Sequence, residues 1–204
     1  MMRAGWRRWG MDALMVALAL AAMLWMARHT ASYDDNRAPF YVRGTLGETV
    51  RGRDFAVTVE KVELARALRL DAGDGDPPRR RDTYGVWLVA HLRVEALQQP
   101  LRFQRAELRT EDGTYYEADD RRVDMDYRLG GVEIVPGLPQ RGVVAFEIPR
   151  EKLAGTVLEA SRDRFRIAPD SVAVIDLGLT RDRVDGLLRD MPESLLLVSR
   201  YASR

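Results

Sequence analysis

Histidine occurs only at His29 and His91, so general acid–base chemistry has few places to sit. His29 follows an apolar run, and His91 stands mid-strand beside Trp87, where a hydrogen-bonded structural histidine is expected. A serine triad lacks a base, and the chain has no Gly-Xaa-Ser-Xaa-Gly elbow and no phosphate-cradling glycine loop. Cysteine is absent, which removes disulfides, thiol catalysis, thiolate metal sites and a lipobox. Copper capture calls for Met or His clusters, and after the N-terminal stretch only Met125 and Met191 occur.

Carboxylates are the remaining candidates for chemistry. Asp119, Asp120, Asp124 and Asp126 cluster in YEADDRRVDMDYR, and Asp71, Asp74 and Asp76 in DAGDGD. Loop carboxylates bind Ca²⁺ through hard oxygens, but neither stretch has EF-hand spacing or a closing bidentate glutamate. Arg121, Arg122 and Arg128, or Arg79 to Arg81, neutralise them as solvated ion pairs. No catalytic, metal or cofactor-binding residue is therefore assigned, and no cofactor is expected. Binding is a different matter. Arg79, Arg80 and Arg81 form one basic run after Pro77-Pro78, and Tyr115, Tyr116 and Tyr127 are the available aromatic contacts. These six are the candidate partner-binding residues. Strand alternation predicts that just one of Tyr115 and Tyr116 faces solvent.

The elements that would position them begin with residues 9–27, WGMDALMVALALAAMLWMA, whose one charge is Asp12. At about 1.5 Å per residue this stretch reaches roughly 28 Å, close to the hydrocarbon thickness of about 30 Å. Arg3, Arg7 and Arg8 precede it, and positive-inside bias puts the N-terminus in the cytoplasm. The expectation is a signal-anchor helix over 9–27 after a cytoplasmic basic segment, 1–8. A cleaved signal peptide fits less well, because Trp25 or His29 would stand at −3 of the candidate cuts. Residues 28–40 read as a juxtamembrane linker. This topology makes the lipid bilayer a partner and places the C-terminal domain outside the cytoplasm of a bacterial cell, at the cytoplasmic membrane.

From residue 41 onward the pattern is β. Phe55, Val57 and Val59 alternate on odd positions, then Val62 and Leu64 on even ones, a phase shift that predicts a bulge. Residues 71–83, DAGDGDPPRRRDT, read as a long exposed loop. In 84–95 one face carries Val86, Leu88, Ala90, Leu92 and Val94, and the other Trp87, Val89, His91 and Arg93, the less buried side. Leu101–Thr110 alternates and shifts phase toward Ala106 and Leu108. Glu111-Asp112-Gly113-Thr114 is a hairpin turn into Tyr115. Pro136-Gly137 turns into 142–148, 149–155 forms a turn, and 157–160, 165–167 and 172–179 complete the strands. Such spacing predicts an all-β, antiparallel β-sandwich over 41–180. In the tail, 181–204, Val184, Leu187, Leu188 and Met191 fall at helical spacing before Pro192, and Leu195–Tyr201 could add a strand.

The order of a hydrophobic strand, ELRTEDGTYYEA, PGLPQRGVVAFEIP and a strand near VIDLGL resembles the telokin-like, immunoglobulin-like domains of bacterial surface lipoproteins and membrane-anchored proteins. The matching residues are Asp112, Gly113 and Tyr116 in the hairpin, then Pro136, Gly137, Val144, Phe146 and Pro149. The likeness spans about residues 46–178 and implies an immunoglobulin-like sandwich of largely unassigned function, with no catalytic residues to carry over. EALQQP replaces the family's Asn-rich turn, and no lipobox cysteine is present.

Of 32 basic and 31 acidic residues, five and three fall in 1–39, so the remainder is within one charge of neutral. Such a balance gives no electrostatic reason to bind nucleic acid. The expected function is a membrane-anchored, non-enzymatic protein-interaction domain, an accessory subunit of a bacterial envelope complex. The alternatives are a binding module for cell-wall glycan or lipid and, last, a hydrolase with two converging carboxylates.

Overall fold

The computed structural model describes residues 4–29, 40–71, 77–118, 129, 133–162 and 171–198. The chain divides into two compact units, Met1–Ala38 and Pro39–Arg204. The first is built on one helix, α1 (Ala4–His29), rich in alanine, leucine and methionine. Every side chain described along it is exposed.

Among the described residues, no helix is long and apolar enough to cross a membrane. The signal-anchor expected over 9–27 is therefore overturned. With it go the bilayer as partner, the inside–outside topology and the placement at a bacterial membrane. Charge bounds the apolar stretch on both sides. The stretch free of charge runs only from 13 to 27, between Asp12 and Arg28. At about 1.5 Å per residue that is roughly 22 Å, well short of the hydrocarbon thickness of about 30 Å.

The second unit is the expected all-β sandwich. Its strands are β1 (Phe40–Thr45), β2 (Thr49–Arg51), β3 (Phe55–Leu70), β4 (Arg79–Ala96), β5 (Leu101–Arg102), β6 (Arg105–Arg109), β7 (Tyr115–Glu117), β8 (Glu133–Ile134), β9 (Gln140–Ile148), β10 (Val157–Ser161), β11 (Ser171–Asp176) and β12 (Leu195–Leu197). One sheet runs β1-β11-β10-β6-β7 and the other β12-β3-β4-β9, with β2 on β3 and a small β5-β8 ladder beside them. Pairing is antiparallel except at two outer strands: β1 lies parallel to β11, and β12 parallel to β3. The strand expected at 165–167 lies outside the described residues.

The principal core fills the space between the sheets. Val86, Leu88, Ala90, Leu92 and Val94 all point into it, as the alternation predicts, and meet Leu108, Leu158 and Ile175 from the facing sheet. Phe146 and Ile148 of β9 join them, and each is fully buried. The bulge predicted from the phase shift is present, because the β3–β4 register slips between Val59 and Lys61. A second slip, between Ala65 and Ala67, was not expected. It re-aims the end of the hairpin, so that Leu68 and Leu70 pack on Trp87, Val89, Ala145 and Leu197 in a second, smaller core. Trp87 is accordingly fully buried, and its Nε1–H donates to Arg81 O at 3.1 Å. The face expected to be the less buried one is covered at this end.

The stretch 71–83 is also less of a loop than its composition suggests. Strand β4 begins at Arg79, and Arg79, Arg80, Arg81 and Asp82 pair with Leu70, Arg69, Leu68 and Ala67. Backbone pairing along the hairpin overrides the polar composition. At the other end of the chain, α2 (Arg181–Arg189) starts at Thr180, whose Oγ1 accepts from Arg183 N–H, and Pro192 follows its close. Val184 and Met191 are buried against the principal core, with Leu187 and Leu188 beside them. The helical spacing read in the sequence is thus the one that docks.

Candidate functional site

Registers across the first sheet define its two faces. The rows Val42, Ala173, Ala160, Ala106 and Gly44, Ile175, Leu158, Leu108, Tyr116 belong to the core side. The intervening rows form the outer face. One is Tyr41, Val172, Ser161, Arg105; the next Arg43, Val174, Glu159, Glu107, Glu117; the third Thr45, Asp176, Val157, Arg109, Tyr115.

The middle row sets three carboxylates directly opposite one another, an arrangement that repels unless cations interleave. Cations do interleave here. Arg109 Nε donates to Glu159 Oε1 at 2.6 Å, and Arg105 Nη2 donates to Glu107 Oε2. The Glu159 side chain is only 6% exposed, whereas Arg109 is 36% exposed. Its hydrogen bond to Glu159 raises the Arg109 guanidinium above its ordinary value, with burial pulling the other way. Arg105 is raised in the same manner by Glu107. Tyr41 and Tyr115, 52% and 51% exposed, both lie within electrostatic reach of Arg109. The face is therefore an interlocked Arg–Glu floor bordered by two exposed phenols.

Tyr115 is held by the predicted hairpin. Gly113 takes φ +83°, a left-handed position suited to glycine. Asp112 accepts from Lys152 Nζ, from the Thr110 hydroxyl and from Thr114 N–H. The hydrogen bond from Lys152, then that from Thr110, hold the Asp112 carboxyl well below the usual carboxylate range. A depressed carboxyl contributes stability above its unfolded value of about 3.9, lost as pH falls through the lower folded value. Asp112→Asn is accordingly expected to lower the Tm at neutral pH. The gap from the parent protein should close on acidification below about pH 4, read by thermal melts across a pH series.

Of the six predicted contact residues, the structure brings Tyr115 to this face. Tyr116 turns inward against the core, so one of the pair faces solvent, as alternation requires. Tyr127 lies outside the described residues. Arg79, Arg80 and Arg81 sit on the β3–β4 arm in the other sheet. Arg80 pairs with Asp82 and Glu193, at 2.7 and 3.0 Å. Sequence reading missed Tyr41, Arg105, Glu107, Arg109 and Glu159. A signal existed, since 105, 107 and 109 alternate charged with apolar 106 and 108; placing Glu159 beside them needs the register.

His91 occupies the outer face of the second sheet, with Nε2 2.7 Å from Glu63 Oε2. Lys61 Nζ reaches the other Glu63 oxygen at 2.8 Å. Partial burial pushes the Glu63 carboxyl up, but hydrogen bonds from Lys61 and His91 outweigh it and leave it below its ordinary value. A shallow groove of about 590 Å³ lies elsewhere, lined by Glu111, Gly155, Asp176, Gly178, Leu179 and Thr180. Asp176 Oδ1 there accepts from Gly178 N–H at 2.7 Å. Among the described residues no cluster of three or more metal-binding side chains occurs. Of the acidic loop clusters, Asp74, Asp76, Asp119, Asp120, Asp124 and Asp126 lie outside the described residues.

No family model and no curated protein matches the sequence. Solved structures of bacterial proteins do resemble it. The yjhA protein of Bacillus subtilis is 16% identical, with 65% of this chain and 99% of that one covered and a TM-score of 0.46. MPT63, a secreted protein of Mycobacterium tuberculosis, is 15% identical over 68% of this chain and 99% of its own, TM-score 0.49. An uncharacterised β-sandwich protein from Clostridium difficile 630 is 15% identical over 67% and 94%, TM-score 0.41.

Proposed function

We propose that the sandwich is a non-enzymatic protein-interaction domain, and that the outer face of the β1-β11-β10-β6-β7 sheet is its contact surface. The observation that carries this reading is that Tyr41 and Tyr115, two half-exposed aromatics on the opposite edge strands, border an ordered Arg–Glu floor on one face of the sheet. Tyrosine and arginine are enriched where protein interfaces concentrate their binding energy, because they bury large area at low entropic cost and keep a polar end. The floor favours this use. Its carboxylates are already oriented by arginines, so a partner meets a face that needs little reordering. Of the residues expected from sequence to contact a partner, Tyr115 is the one this proposal retains.

Photo-crosslinking amino acids placed singly at Tyr41, Tyr115 and Tyr84 test the proposal in the native host. Tyr84 is a fully exposed tyrosine on β4, in the other sheet, and serves as the control. The same discrete protein adduct is expected from 41 and 115 and not from 84. Its yield should fall about tenfold or more when the untagged tyrosine of the pair is replaced by alanine, the behaviour of a residue that anchors an interface. Equal adducts from all three positions, or none at 41 and 115, would remove the face from consideration.

A further inference from the structure

Edge strands invite pairing, and most of those in this sandwich are guarded. On β1, Arg43 is exposed and Glu48 Oε2 accepts from Thr45 N–H at 3.0 Å. Strand β7 carries Glu117, and β9 carries Arg141, while its Val143 O accepts from Leu129 N–H at 3.0 Å. Strand β12 differs. It reads Leu195-Leu196-Leu197, followed by Val198, with no charge anywhere along it. It ends its sheet, bonded to β3 on one side only among the described residues.

The backbone geometry fixes what the other side offers. Asp71 N–H donates to Leu197 O at 3.0 Å, so the polar groups of Leu197 face β3. Strand alternation turns the N–H and C=O of Leu196 toward the open edge. The Leu196 and Val198 side chains are 50% and 52% exposed, whereas Leu197 is buried in the second core.

We infer that β12 is a homotypic pairing site, at which a second copy of this chain adds its own β12 antiparallel across a two-fold axis. The occupant follows from self-complementarity. In an antiparallel pair centred on Leu196, Leu195 faces Leu197 of the second copy, and Ser194 faces Val198. No charge meets a charge, and apolar side chains stay on matching faces. One surface thus supplies both halves, as an isologous dimer requires. Leu196 pairs with its own equivalent through two backbone hydrogen bonds, and the two small cores become neighbours. The strand is short, so the dimer is a concentration-dependent one. This surface is separate from the face proposed above, and either reading can fail alone.

The absence of cysteine makes the register directly testable in the full chain. In a hydrogen-bonded antiparallel pair, opposed Cα atoms lie about 5.5 Å apart, inside the range a disulfide spans. Under mild oxidation, Leu196→Cys is expected to form covalent homodimers about tenfold or more faster than Tyr84→Cys, because pre-associated thiols react at high effective concentration. In sedimentation velocity the parent chain should pass from monomer to dimer with concentration, and Leu196→Lys, which leaves Leu195 and Leu197 in place, should shift that transition at least about tenfold upward. Equal oxidation rates at 196 and 84, or a dimer unaffected by Leu196→Lys, would overturn the inference. So would crosslinking from 196 to a different protein without homodimer.

Discussion

Replacing Trp87 by alanine is expected to cost about 3–5 kcal/mol of unfolding free energy, the range for deleting a large buried aromatic. The residue is fully buried, and its ring is the centre on which Leu68, Leu70, Val89, Ala145 and Leu197 converge. Those residues come from the re-aimed end of the β3–β4 hairpin, from β9 and from β12, so one ring joins three segments distant in sequence. A conservative Trp87→Phe keeps most of the packing but removes the indole N–H given to Arg81 O, and should cost about 1–2 kcal/mol. Urea denaturation followed by circular dichroism separates the two variants. Since domains of this kind carry a total of about 5–15 kcal/mol, the alanine variant should retain only a fraction of its stability. A loss below about 0.5 kcal/mol, the behaviour of a surface site, would show that the second core is not part of the cooperative unit.

Arg109→Leu is expected to cost about 2 kcal/mol, and replacing Arg109 and Glu159 together by leucine to cost less than the single change. The reasoning rests on asymmetric exposure. Glu159 is nearly buried at 6%, while Arg109 reaches solvent at 36%, so water screens much of the direct attraction. What the single variant leaves behind is a carboxylate held away from water without its closest cation, and that is the expensive species. Breaking a fully buried pair costs about 3–5 kcal/mol, and the solvent access of Arg109 sets the lower figure here. Removing both charges removes the stranded carboxylate as well. Glu159→Leu alone should be the mildest single change, because Arg109 can turn to water. A double-mutant cycle reads the three numbers. Strictly additive losses would mean that the pair carries no coupling.

How far these features could be read beforehand depends on their range along the chain. The alternation of Val86, Leu88, Ala90, Leu92 and Val94 is local, and it gave the inner face of β4 without error. The phase change from Val59 to Val62 is local too, and it marked a real register slip. The fate of Trp87 is not local. Whether its face is covered depends on Leu197, on a strand far later in the chain. The slip between Ala65 and Ala67 leaves no phase change that composition reveals, since alanine fits either face. Arg79–Asp82 looked like loop because arginines dominate, yet an exposed hairpin tolerates charge on its strands. The contact face is half-legible: β6 alternates charged and apolar, but only register sets Glu107 beside Glu159. The N-terminal reading failed on length: between Asp12 and Arg28 the charge-free run covers only 13 to 27.

The parallel seating of β1 on β11 has a consequence for how the molecule is made. Phe40 pairs with Ser171, and Thr45 with Asp176, about 130 residues apart, while the chain emerges from the N-terminal end at about 5–20 residues per second. The first strand of the sandwich is therefore synthesised on the order of ten seconds before its partner exists. In that interval the long β3–β4 hairpin, whose halves lie close in sequence, can already have zipped. Strand β1 can only wait, with its backbone groups on the β11 side unpaired. Arg43 on this strand and Glu48 just after it are made in the same early interval. Charge on an unpaired strand disfavours edge-to-edge pairing, and that general effect applies for as long as Ser171–Asp176 is still to be made.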